Sequence, residues 1–151
     1  MGWEKLLKKG QKLYFKDQWL PAKAVLAEAC RLAPKQAGVL LHLAYVLNYL
    51  GERQEALDLL DRALEIEPEN PAVYIILGLV EYDREDLAQA QNYWKKALEF
   101  EKDNPLAKSF LALGKIKADP KGAIKELISG ELYPQTDFLA RLLVEIEEAY
   151  A

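Results

Sequence analysis

Few residues in this chain are equipped for covalent or acid–base chemistry. His42 is the one histidine and Cys30 the one cysteine, and outside the tyrosines the only hydroxyls are Ser109, Ser129 and Thr136. A hydrolytic triad needs a nucleophile, a base and an acid to orient the base. His42 sits between Leu41 and Leu43 with no acid beside it. A zinc site needs three or four Cys, His or carboxylate ligands, and one Cys with one His makes no such cluster. Glycine-rich phosphate cradles of the G-x-G-x-x-G or G-x-x-x-x-G-K-[ST] kind do not occur. Paired carboxylates such as Glu147 and Glu148 fall on charged helix faces, which solvation explains. No catalytic residue, metal site or cofactor is expected, and the chain reads as a non-enzyme.

The elements that carry these residues are bounded by composition. A chain of 151 residues with 51% hydrophobic and 29% charged residues is long enough for one domain, burying about 70% of its unfolded surface. Its formal net charge of −4 and pI near 5.2 argue against a nucleic-acid partner, which calls for a basic face. The first residues show a Lys-rich helical pattern without the apolar core of a signal peptide, and Leu6 stands where a myristoylation motif needs Ser or Thr. The longest clean apolar run, Ala72 to Val80, falls far short of the ~18 residues of a membrane span. A lone Cys30 forms no intrachain disulfide. A cytoplasmic location is the expectation.

The chain repeats itself every 34 residues. Ala22, Ala56 and Ala90 form one column, Ala29, Ala63 and Ala97 a second, and Gly10, Ala44, Gly78 and Ala112 a third. Large apolar residues recur at the same step in Leu6, Leu40 and Tyr74, and in Leu26, Leu60 and Trp94. Pro34 pairs with Pro68, and Asn70-Pro71 with Asn104-Pro105. Small residues at a helix crossing let two backbones approach, while the facing Leu or Trp fills the space beside them.

Each frame holds two helical patterns. The spacing predicts helices at 3–15, 19–33, 37–50, 53–66, 71–83, 86–99, 105–117, 120–129 and 137–150. Breaks fall at Gly51, Pro68 to Pro71, Asn104-Pro105, Asp119-Pro120 and Pro134. Pro21, Pro71, Pro105 and Pro120 lie in first turns, where a missing N–H costs nothing.

These columns resemble the tetratricopeptide repeat family. Three full repeats cover about 3–36, 37–70 and 71–104, a degenerate fourth covers 105–134, and 137–150 is similar to the extra C-terminal helix that often caps such arrays. Lys9, Glu81 and Lys115 depart from the family's large apolar residues. The resemblance implies an all-α, right-handed superhelical solenoid of helix-turn-helix repeats in which the first helix of each pair lines a concave face. It also implies a binding module for a protein or peptide. Some relatives hold an acidic chaperone tail with a Lys/Asn/Asn/Lys/Arg set. The matching positions here are Leu7, Gln11, His42, Ala72 and Ile76, so that clamp is absent.

The concave face is expected to carry Leu7, Gln11, Tyr14 and Phe15 from the first repeat, and Leu41, His42, Tyr45, Asn48 and Tyr49 from the second. The third adds Ile75, Ile76, Leu79 and Tyr82, and the fourth Phe110, Leu113 and Ile116. Helix 37–50 holds no charged side chain, so it needs cover on every side. A phenol offers apolar area with a polar tip, which suits a contact surface. Packing within the array is the alternative for these aromatics, and a local hydrogen bond the alternative for His42. Trp19, Trp94 and Cys30 read as packing residues.

The resulting expectation is a scaffold or adaptor that binds an apolar or amphipathic segment of a partner protein in its groove. The alternatives are a dedicated chaperone for a secreted or membrane-bound client and a subunit that self-assembles through the groove. Charge is polarised along the chain, with Lys5, Lys8, Lys9 and Lys12 early and Asp137, Glu145, Glu147 and Glu148 late, which would suit head-to-tail homo-oligomers. Leu139, Leu142, Leu143, Ile146 and Tyr150 make one apolar stripe, expected to cover the end of the fourth unit or to insert into the groove.

Overall fold

The structure, a computed structural model, describes residues 2–118, with the side chains of 2–112. Seven α-helices make up the described residues: α1 (Trp3–Phe15), α2 (Trp19–Leu32), α3 (Ala37–Tyr49), α4 (Arg53–Ile66), α5 (Pro71–Asp83), α6 (Leu87–Phe100) and α7 (Pro105–Ala118). The expected helices at 120–129 and 137–150, and with them the second half of the fourth unit, lie outside the described residues.

Consecutive helices pack against each other throughout, and α1 with α3 and α3 with α5 also touch directly. The result is an all-α solenoid: first helices α1, α3 and α5 form an inner layer, with α2, α4 and α6 outside it. Such a stack is held by contacts between neighbouring units rather than by one central core. The core runs along the interface of the layers, through Leu26, Leu40, Leu60, Val73, Val80 and Trp94, none of them exposed.

The 34-residue columns have their physical reason in this interface. Ala22, Ala56, Ala90, Ala29, Ala63 and Ala97 are all fully buried, at the sites where helices cross. At Gly10 an added Cβ would stand 2.5 Å from the side chain of Leu26, so only hydrogen fits. Trp94 fills the equivalent space in the third unit, and its indole N–H donates to the Ile75 carbonyl at 3.2 Å. The polar atom of a buried ring thereby keeps a partner.

Helix ends follow local chemistry. Asn70 caps α5 by accepting from the Ala72 N–H at 2.9 Å, and Asn104 caps α7 by accepting from the Ala107 N–H at 3.0 Å, each ahead of a first-position proline. Asp86 accepts from the Gln89 N–H at 3.1 Å. It therefore stands outside α6 as its cap, and the helix starts one residue later than the periodicity predicts.

The joints inside the three repeats share one geometry. Asp17, Gly51 and Glu85 each take a positive φ, of 59°, 83° and 65°. At each, two backbone bonds close the helix: Gln18 N–H to Leu13 O and Asp17 N–H to Tyr14 O, with the same pair at Glu52–Leu47 and Gly51–Asn48, and at Asp86–Glu81 and Glu85–Tyr82. This is the Schellman closure, in which a left-handed residue ends the helix and reverses the chain. It turns each first helix into its antiparallel partner after the same number of residues, which keeps the inner layer in register.

Candidate functional site

A cavity of about 310 Å³ opens on the inner layer, lined by Tyr14, Phe15, Leu41, His42, Tyr45, Ala72, Ile75, Ile76, Leu79, Leu106 and Phe110. Four helices build it. The end of α1 supplies Tyr14 and Phe15, α3 and α5 supply the floor, and the start of α7 supplies Leu106 and Phe110. No lysine, arginine, aspartate or glutamate lines it. Floor residues Leu41 and Ile75 are buried, while Phe15 is 74% exposed at the rim. By contrast, a hollow of about 280 Å³ next to α2 and α4 is ringed by Lys23, Glu55 and Asp58.

A polar bridge between the first and second units forms part of the wall. Gln11 Nε2 lies 3.0 Å from His42 Nε2, and the Tyr14 hydroxyl lies 2.9 Å from His42 Nδ1. A carboxamide nitrogen only donates, so Nε2 accepts and the neutral ring carries its proton on Nδ1, donating to Tyr14. Burial holds the His42 pKa below its usual value. Burial, with Tyr45 nearby, pushes the Tyr14 phenol up to about 12. Both groups are therefore neutral near pH 7, as an apolar groove requires.

Of the residues expected on the concave face, Tyr14, Phe15, Leu41, His42, Tyr45, Ile75, Ile76, Leu79 and Phe110 meet at this cavity. Asn48, Tyr49 and Tyr82 do not line it. The Asn48 amide donates to Asp83 at 2.7 Å on the surface. Tyr49 stacks on Trp19, with ring centroids 3.6 Å apart and planes 12° from parallel. Tyr82 leans on Trp94 at 6.2 Å. Leu113 and Ile116 fall where no side chains are described. The structure adds Ala72 and Leu106 to the lining; Leu106 stands four residues before Phe110, so helical spacing alone places the two on one face.

An aromatic run continues the groove outward. Phe15 neighbours Tyr14 at 5.0 Å, Tyr14 meets Trp19 at 5.8 Å and Tyr45 at 5.3 Å, and Trp19 carries the Tyr49 ring. No described helix is long and apolar enough to cross a membrane. Among the described residues no group of three His, Cys, Asp or Glu side chains could hold a metal ion.

Residues 37–80 match the tetratricopeptide repeat family. No curated protein sequence matches the chain. Solved structures share its fold. An O-GlcNAc transferase from Thermobaculum terrenum aligns with a TM-score of 0.68 at 21% identity, covering 75% of this chain and 22% of that one, so this chain spans about a fifth of the enzyme. The first tetratricopeptide domain of Spaghetti, solved with an HSP90 peptide bound, aligns at 0.66 and 17% identity over 77% of this chain and 92% of that one. The tetratricopeptide domain of Sgt2 from Aspergillus fumigatus aligns at 0.67 and 22% identity over 89% of this chain and 86% of its own.

Proposed function

We propose that this chain, whose residues 37–80 match the tetratricopeptide repeat family, is a non-catalytic scaffold whose concave groove takes an apolar or amphipathic segment of a protein partner. The observation that carries the reading is the lining itself: eleven residues from four helices, with no formal charge among them. Spaghetti is a relative in fold that holds an HSP90 peptide. The groove here suits a different class of segment. The positions that correspond to a carboxylate clamp hold Leu7, Gln11, His42, Ala72 and Ile76, and Gln11 is spent on His42. An acidic terminus would meet no cation at those five positions, whereas a segment with anchors at i, i+3 or i+4, and i+7 would bury them in the apolar lining.

Binding energy in such a groove concentrates in a few central contacts. Segments selected from a peptide library on the full chain are the probe. Tyr45→Ala and Leu79→Ala are each expected to weaken their binding by about 1–3 kcal/mol, with little dependence on salt because no charge lines the site. Binding that collapses in high salt and ignores both substitutions places the contact on the charged outer surface and overturns the reading.

A further inference from the structure

We propose that residues 137–150 of the chain itself occupy the concave groove and mask it, a self-occlusion that rests on the reading of the groove as a site for an amphipathic segment. Leu139, Leu142, Leu143, Ile146 and Tyr150 fall at i, i+3, i+4, i+7 and i+11, the anchor spacing the groove accepts. As a helix this segment would be about 21 Å long. The groove crosses from α7 to α1, and helices pack at about 8–10 Å, so three spacings make it about 24–30 Å across. Segment and groove match in length.

Reach is ample. α7 itself lines the cavity through Leu106 and Phe110, and its last residue, Ala118, is only about 12 Å along the helix from Phe110. With 120–129 helical as the spacing predicts, residues 129–136 fully extended still span up to about 28 Å. A chain that leaves α7 and folds back therefore enters the groove at its α7 edge and runs toward α1.

Charge selects this seat over the outer end of the fourth unit. Entering from α7 puts Glu145, Glu147 and Glu148 at the α1 end of the groove. There α1 and its cap present exposed Lys5, Lys8, Lys9, Lys12 and Lys16, against Glu4 and Asp17. No lysine of α1 joins a salt bridge among the described residues. Lys12 and Lys8 stand three and seven residues before Phe15, on the same side of the helix as that cavity residue. From the outer end of the fourth unit the same glutamates would lie beyond the ~8–10 Å over which exposed charges act.

A photoactivatable benzophenone side chain in place of Leu79, in the full chain, tests this. Irradiation is expected to link it to a peptide from 137–150 of the same chain, to the same extent at every protein concentration. Leu142→Asp/Ile146→Asp should abolish that link, and Glu145→Lys/Glu148→Lys, which spares the apolar stripe, should reduce it several-fold. A synthetic 137–150 peptide added in trans should label the Leu142→Asp/Ile146→Asp protein at least about tenfold more than the parent, whose tethered copy has an effective concentration near millimolar. If the parent accepts the added peptide as readily as the variant, the groove is open: self-occlusion fails and the groove reading stands. A link between chains that grows with concentration makes a second copy the occupant and also overturns it. If neither tethered nor added segment reaches position 79 in any of the proteins, both readings fall.

Discussion

Gly78 and Trp94 share one space: a Cβ on Gly78 would overlap the indole ring that α6 lays across α5. The ring is fully buried and pinned by its N–H bond to Ile75, so it has nowhere to retreat. The same two positions hold Gly10 and Leu26 in the first unit, and Ala44 and Leu60 in the second. Size is traded across the crossing, a large outer side chain demanding a small inner one.

Gly78→Ala should therefore destabilise by about 1–3 kcal/mol through overpacking, despite alanine's better helix propensity. Adding Trp94→Leu recreates the pairing of the second unit. Urea melts of the two single variants and the double variant should show a favourable coupling of at least about 1 kcal/mol; simple additivity would mean that the two residues do not compete for the same volume.

Ala56 and Ala90 are fully buried at equivalent crossings. Ala56→Leu and Ala90→Leu are each expected to cost about 1–3 kcal/mol. Melts that superimpose on the parent protein's would disprove the packing register.

The left-handed joints differ in chemistry. Gly51 adopts φ 83° freely, whereas exposed Glu85 adopts φ 65° at a steric cost. Glu85→Gly should raise stability by about 0.5–1 kcal/mol and Gly51→Ala lower it by about 1 kcal/mol. Thermal unfolding compared across the pair reads both signs.

Burial lowers the His42 pKa. The folded protein thus binds fewer protons than the unfolded chain below the unfolded value of about 6.5. This contribution to stability is fully present above that pH and is lost as pH falls from there through the lowered folded pKa. Protonation also fills the Nε2 lone pair that accepts from Gln11. An NMR titration of the single imidazole should give a midpoint below 6.5, and His42→Gln should flatten the pH dependence of the urea midpoint in this window. A midpoint above 6.5 would contradict the neutral bridge.

Much of this was legible in the residues. The expected bounds of α4 at 53–66 and of α5 at 71–83 agree with the structure; Gly51 and Pro68 flank the first, and Asn70-Pro71 opens the second. The small and large columns marked the crossings, since side-chain volume is written in residue type. The left-handed column was not legible, because Asp17, Gly51 and Glu85 share backbone conformation and no side-chain property. Tyr49, expected on the concave face, stacks on Trp19. That contact depends on how the end of α3 meets the start of α2, which no pattern within one helix encodes. The His42 bridge likewise needs two units in place, 31 and 28 residues apart in sequence.

That bridge has a consequence for how the array opens. In a linear stack each unit is held through its neighbours, and units part locally before the whole array unfolds. Gln11, Tyr14 and Phe15 belong to the first described unit, where two of them wall the groove and two hold His42. Each excursion of α1 away from α3 removes one wall of the groove. Whatever fills the groove must then slow the hydrogen exchange of α1 amides, and loosening α1 must speed its departure. Occupancy and the parting of α1 from α3 are two readings of a single equilibrium.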